Sequence, residues 1–306
     1  MHVASEHITQ VTRFIRVLRG GSQPILVEAS NGLLYVAKFL NNLQGPNVLF
    51  NEKIGNELYR ACGLLVPSTT ELLVTDSFLD QNRSCWFQTP KGLVRPNSGL
   101  CLGSRYLGTD GARLLEILPG NFHQRVRNRL SFWLAWLIDV CAEHTDNRQA
   151  LFMKGTDGGL NAFFIDHGHL FGGADGRHSR GFLASRYLDK RIYPVVSSNE
   201  LIAIRNVVQS LDADKLWKQV HRLPEDWKST SAIEGFQDCL DRFSKTDFLR
   251  DLLSAMANNH MHGIVNLADD LNYGQEIHPE ILCDRVQNRR SAPRAFSGQA
   301  CSFNCG

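Results

Sequence analysis

The chain has 306 residues, of which 43% are hydrophobic and 21% charged, and a formal net charge of +2. That length holds one large domain or two lobes with a sizeable core, and a charge so near balance makes neither nucleic acid nor a membrane surface the expected partner. The longest apolar run, FWLAWLIDVCA, carries Asp139 and is too short to span a bilayer; the N-terminus lacks the charged start, apolar stretch and cleavage site of a signal peptide, so a cytoplasmic location is expected.

In chain order, the first feature is RGGSQP, residues 19–24. It reads as a glycine-bearing turn, and Gly20, Gly21, Ser22 and Gln23 would cover phosphates with backbone N–H groups. Taken alone, a Gly-Gly pair is more often simply a turn. Residues 12–40 alternate as strands do: ILVEAS and LLYVAKF are β-rich runs joined by Ser30-Asn31-Gly32, a good hairpin turn. NVLFNEKIGNELYRACGL has helical spacing, with Ile54, Leu58 and Ala61 on one face, and stops at Gly63 ahead of Pro67. TELLVTD and GLCLGSRYL follow as strands, with a hairpin excursion at 80–98 between them.

From residue 110 the pattern turns helical. HQRVRNRLSFWLAWLIDVCAEH is hydrophobic on several sides and reads as a central buried helix. After it, HTDNRQALF (144–152) and FFIDHGHLFGG (163–173) set Asp146 and Asp166 on either side of a hairpin. Beyond a polar loop, RHSRGFLASRYL, and Pro194, helices are expected near 198–211, 213–221 and 231–257, and periodicity fades after residue 260. Strands with one helix, then a mostly helical half, describe an α+β chain in two lobes, residues 1–108 and 109–258, followed by a flexible tail at 259–306. Eight cysteines lack CxxC spacing. Cys62, Cys85, Cys101, Cys141 and Cys239 lie in or beside apolar stretches and are expected to be buried free thiols, while Cys301 and Cys305 fall in the tail.

Lys38 lies between apolar neighbours on a strand and needs an anionic partner. Glu52 opens the next helix and Glu57 lies further along it; a strand lysine paired with such a glutamate is how a kinase aims its lysine at ATP phosphates. A solvated Lys38, and a Glu52 that only favours the helix N-terminus, are the plainer readings. Asp146 directly follows the buried helix and would act as a general base toward an attacking hydroxyl. The Arg148 guanidinium would neutralise phosphate oxygens. Asp166, with the Gln149 amide as a weaker ligand, would bind Mg²⁺, which takes one or two carboxylates plus phosphates and water. His144, His167, His169 and His178 raise a rival, a His/Asp metal-dependent hydrolase, although no HExxH-type helix accompanies them.

Taken together, GGSQP, YVAKF, NEKIGNELYRACGLLVP, GSRYL, DVCAEHTDNRQALF and IDHGHLF resemble the HipA-like kinases, distant members of the protein-kinase-like fold, over residues 12–258. The resemblance implies a bilobal kinase with a small β-rich N-lobe carrying one helix and a mainly helical C-lobe. It implies that Lys38 contacts the ATP phosphates with Glu52 paired to it and Glu57 as the alternate. GSRYL, with Ser104 and Arg105, would lead into the hinge that holds adenine. Asp146 would be the base, Asp166 the Mg²⁺ ligand, and a protein serine or threonine hydroxyl the acceptor. Three departures accompany it. Leu151 stands where a metal-binding asparagine is usual, five residues after the base; the second acid opens Asp-His-Gly; and Lys38 comes so early that the extra N-terminal subdomain of toxin members is not expected, which leaves an antitoxin-type partner open. The missing asparagine also supports a second class, a non-catalytic nucleotide-binding pseudokinase or scaffold.

Overall fold

The computed structural model describes residues 9–108, 114–176 and 186–257. All lie within one compact unit, residues 1–265; a second unit, 266–306, falls outside the described residues, as do Cys301, Cys305 and the expected tail.

Five strands close into a barrel in the order β1 (Thr9–Val17), β2 (Ile25–Ala29), β3 (Leu34–Lys38), β7 (Gly99–Arg105), β4 (Thr69–Val74). The β2–β3 hairpin turns as the sequence predicts: Gly32 takes φ 74°, and Asn31 Oδ1 accepts the Leu33 N–H (3.1 Å). Strand alternation sends Val27, Tyr35, Ala37, Leu72, Val74 and Cys101 into the barrel core. Because Tyr35 and Ala37 point inward, Val36 and Lys38 take the outer face of the same strand. Gly103 is required on β7, since a Cβ there would lie 2.5 Å from Leu72 Cδ1.

Helix α1 (Val48–Ala61) follows β3 and buries Ile54 and Leu58 completely. It ends where Gly63, at φ 76°, lets its own N–H and that of Leu64 turn back to the Arg60 and Tyr59 carbonyls. The 80–98 excursion holds the hairpin β5 (Phe87–Thr89) and β6 (Gly92–Val94). A short helix that the sequence pattern did not reveal, α2 (Asp76–Gln81), precedes it and is capped by the Thr75 hydroxyl.

Beyond residue 114 the chain forms a three-stranded sheet ordered β10 (Leu160–Ile165), β9 (Gln149–Lys154), β8 (Leu114–Leu115), with β9 and β10 as the expected hairpin. Packed with it is α3 (Leu130–Cys141), buried on most sides including at Asp139. Helices α4 (Ser198–Gln209), α5 (Ala213–Arg222), α6 (Thr230–Ser244) and α7 (Thr246–Ala257) complete the described chain. The single helix expected over 231–257 is therefore two: Lys245 leaves helical geometry at ψ 98°, with neither Gly nor Pro to announce the break. The polar loop at 177–188 lies mostly outside the described residues. Cys62, Cys85, Cys101, Cys141 and Cys239 are buried free thiols, and burial pushes those of Cys62, Cys85 and Cys101 up to about 12.

Candidate functional site

Lys38 leaves the barrel on its outer face at the end of β3, where α1 and the end of β10 converge. Its ammonium bonds to Glu52 Oε1 and, at 2.9 Å, to Asp166 Oδ1. The side chains are 13%, 6% and 25% exposed, so both pairs are strengthened by low dielectric. Burial alone would pull the Lys38 pKa down; the charges of Asp166 and Glu52 reverse that and hold it above its ordinary value. The Lys38 charge, acting against burial, holds Asp166 well below the usual carboxylate range. Glu52 is pushed up by burial, against the pull of Lys38. Asp166 is thus held in its ionised form. Its φ of 59° is left-handed, a conformation aspartate tolerates, and it marks the turn out of β10 as specialised.

Glu57, the alternate partner, lies elsewhere: it pairs with Lys53 (2.8 Å) and Arg60 (3.4 Å) on its own helix. Glu52 alone reaches Lys38 because it sits on the α1 face turned to β3.

Arg148 corrects the expectation of a phosphate-neutralising guanidinium. It is 2% exposed and spent on protein: Nε and Nη2 bond to Asp139 at 2.9 and 2.5 Å, and Nη1 donates to the Ile165 carbonyl at 2.9 Å. Its plane lies 4.9 Å from the Tyr59 ring, whose hydroxyl donates to Asp139 Oδ1 at 2.5 Å. Burial would raise the Asp139 pKa, but Arg148, followed by His144, more than reverses this and keeps it ionised. The pair joins α3, β9, α1 and the turn holding Asp166, and so positions the site from beneath.

Two of the histidines considered as metal ligands belong to this pillar. His144 Nδ1 lies 3.2 Å from Arg148 Nη2, and His167 Nδ1 lies 3.3 Å from Arg148 Nη1; both residues are 1% exposed. Among the described residues no group of three or more His, Cys, Asp or Glu side chains is placed to hold a metal ion. His178 lies outside the described residues. Burial, then the Arg148 charge, lowers the His144 pKa, so its ring stays neutral where an unfolded histidine takes a proton. Stability from this source is therefore complete above the unfolded value of ~6.5 and drains as pH falls below it, by up to about 1.4 kcal/mol per pH unit. The denaturant midpoint is expected to fall between pH 7.5 and 5.5, and to fall less in His144→Gln; equal slopes would contradict this.

Asp146 is half-buried, and its Oδ1 accepts the N–H of Asn147 at 2.7 Å. The preceding Thr145 N–H bonds to the His169 carbonyl at 3.0 Å, which fastens the Asp146 loop to the turn after Asp166. Gln149 opens β9, and its Nε2 donates to Asp166 Oδ2 at 2.7 Å; Oε1 is the amide atom with ligand chemistry. Leu151 lies mid-strand in β9, paired with Phe163, and offers a cation nothing. The donor set fits Mg²⁺ held by one carboxylate, an amide oxygen and substrate phosphates, rather than an all-protein cage.

The glycine turn lies at the Lys38 end of β3, since Ile25, which follows it, pairs with Ala37, and its form revises two expected roles. Ser22 is 5% exposed and packed beneath the turn. Gln23, at φ 44°, spends its side chain on Gln88, donating to its carbonyl and accepting its N–H, both at 2.7 Å. That leaves Gly20 and Gly21 as the exposed part of the turn. Gly21 lies against Gln44, whose Nε2 is 3.0 Å from His169 Nε2, so the turn reaches the loop that follows Asp166. At the other end of the barrel, Ser104 pairs with Val36 and shares the Lys38 face. Arg105, one residue on, faces the opposite way, with its guanidinium 5.8 Å from the Tyr35 ring. The Arg105 and Tyr106 N–H groups are bonded to the Ser68 and Leu34 carbonyls, so both are spent within the protein where the sequence led to an expected hinge.

Asp139, Tyr59 and Asn51 make contacts to which the sequence assigned no role. Asp139 had left a signal, an acid inside an otherwise apolar run. Asn51 had only its place beside Glu52.

No family model matches the chain, and no curated protein matches it. Among solved structures it is similar to a Helicobacter pylori proinflammatory kinase, CtkA, with TM-score 0.54 and 14% identity over 82% of this chain and 99% of that one. It is also similar to hydra Fam20 with sugar (TM-score 0.49, 10% identity, 83% of this chain and 87% of that one). A Golgi casein kinase follows at TM-score 0.48 and 12% identity, over 84% of this chain and 75% of that one. The first likeness shows that the chain has a kinase-like fold.

Proposed function

We propose that the chain is an ATP- and Mg²⁺-dependent phosphotransferase of the HipA-like kind, cytoplasmic, that phosphorylates a serine or threonine hydroxyl of a protein. Residues 1–108 would form the nucleotide lobe and 109–258 the catalytic lobe. The observation that carries the reading is Lys38 bonded at once to Glu52 and Asp166, residues 14 and 128 positions away in sequence. A structural lysine needs one anionic partner; this one holds two carboxylates from separate elements at the mouth of a barrel.

In this reading Lys38 neutralises phosphate oxygens while Glu52 keeps it extended, and the Gly20–Gly21 backbone covers the phosphates from the barrel side. Asp166 and Gln149 would hold the Mg²⁺ ion, whose contribution is positive charge against the phosphates. Asp146 accepts the proton of the attacking hydroxyl, oriented by its bond from Asn147. Adenine would meet the chain after Tyr106. Arg148 takes no part in the chemistry.

Transfer of labelled γ-phosphate to protein, followed by phosphoamino-acid analysis, tests this. Wild type is expected to label serine or threonine, and Asp146→Asn to lose about 10²–10⁴-fold with its melting temperature retained. A pseudokinase is the second reading, favoured by Leu151 in β9. Nucleotide binding with no transfer under any divalent ion would select it.

A further inference from the structure

Asn51 is fully buried in α1, one residue before Glu52, and its single amide nitrogen donates to three backbone carbonyls: Gly168 at 3.0 Å, Leu170 at 2.7 Å and Gly173 at 3.1 Å. All three belong to the loop that leaves Asp166. Two amide hydrogens serve three acceptors, while Asn51 Oδ1 is buried with no hydrogen-bond partner among the described residues. An apolar side chain would spare that oxygen but leave the three carbonyls without this donor, so the amide offsets its unmet acceptor only while α1 and the loop stay together. What the amide does supply is a fixed distance between the helix that carries Glu52 and the loop that carries Asp166. Gly55, one turn later, closes the same seam, since a Cβ there would lie 2.5 Å from Leu170 Cδ1 and 2.8 Å from His167 Cβ.

We infer that Asn51 is a positioning residue that locks Glu52 and Asp166 into register, so that α1 and the Asp166 loop move only as one body. The inference rests on the phosphotransferase reading for its catalytic consequence but not for its mechanics. Rotation of α1 away from Lys38 would break three buried hydrogen bonds at once, and the Lys38 triad is therefore assembled before any nucleotide arrives. Groups behind a metal ligand usually change metal affinity or activity 10–100-fold when removed.

Two measurements decide it. In wild-type protein, hydrogen exchange of peptides covering 48–61 and 166–174 is expected to follow one common opening rate; α1 opening without the loop would overturn the inference whatever the variants do. In Asn51→Ala, the Mg²⁺ concentration giving half-maximal transfer at saturating ATP is expected to rise about 10-fold or more. The isosteric Asn51→Asp, which turns an acceptor toward three acceptors, is expected to do worse. Leu252→Ala in α7, a buried residue of a helix packed against α4 and α6, serves as the control for lost stability alone, and its Mg²⁺ dependence should match wild type. An Asn51→Ala protein with wild-type Mg²⁺ dependence would remove the positioning role. Absence of transfer in wild type would instead remove the proposed function, and the exchange measurement would still settle Asn51.

Discussion

Lys38→Met is expected to lower phosphotransfer about 10²–10³-fold or more, the scale seen when one preorganised charge is taken from a developing anion. It should also change how the protein responds to divalent ions. With the ammonium gone, Glu52 and Asp166 are left facing each other in a partly buried site. Lys38 is what holds Asp166 below the usual carboxylate range, and Glu52 is already pushed up by burial. The two acids then compete for ionisation, and one takes a proton near neutral pH. Mg²⁺ is expected to raise the melting temperature of Lys38→Met more than that of wild type, because only in the variant can the ion take the place of the missing ammonium between Glu52 and Asp166. Equal shifts would mean that the three side chains are not one electrostatic unit.

The largest loss of stability is expected beneath the site. In Arg148→Met, Asp139 keeps its charge at 0% exposure with only Tyr59 and His144 beside it. Removing one partner of a buried pair costs about 3–5 kcal/mol, because the survivor is stranded. For a domain of this size that lowers the melting temperature by roughly 6–20 °C. Asp139→Leu combined with Arg148→Met should recover much of the loss, since no charge then remains unpaired. A double variant no better than Arg148→Met would show that the guanidinium matters mainly through its bonds to the Ile165 and Asp166 carbonyls. Activity should not return with stability, because those bonds hold the turn that presents Asp166.

The contrast between these residues explains what the sequence made legible. The β2–β3 hairpin, α1 and the β9–β10 hairpin were readable because each combines a hydrophobic period with a local stop: Gly32, Gly63, or the polar break before Leu160. Lys38, Glu52 and Asp166 stood out because each is a charged residue at the edge of such an element, but only the structure shows the bond between Lys38 and Asp166. Arg148 was misread for a physical reason. A guanidinium on a loop beside a candidate base looks free unless its partner is known, and that partner, Asp139, lies on a helix whose burial is a tertiary fact. Gln23 and Arg105 were misplaced likewise: their neighbours could be named, but not the direction of their side chains. The break at Lys245 carries no Gly or Pro, so packing rather than local preference decides it, while the short α2 had only its Thr75 cap to announce it.

In the proposed function, Lys38, Glu52 and Asp166 make one nucleotide-phosphate site. Calorimetric titration of ATP into wild type, Lys38→Met and Asp166→Asn, each with and without Mg²⁺, addresses it most directly. Wild type is predicted to bind ATP with an affinity that rises when Mg²⁺ is present; Asp166→Asn should lose that rise, and Lys38→Met should bind weakly in both conditions. Wild type that binds no ATP, or two variants that bind as wild type does, would contradict the account.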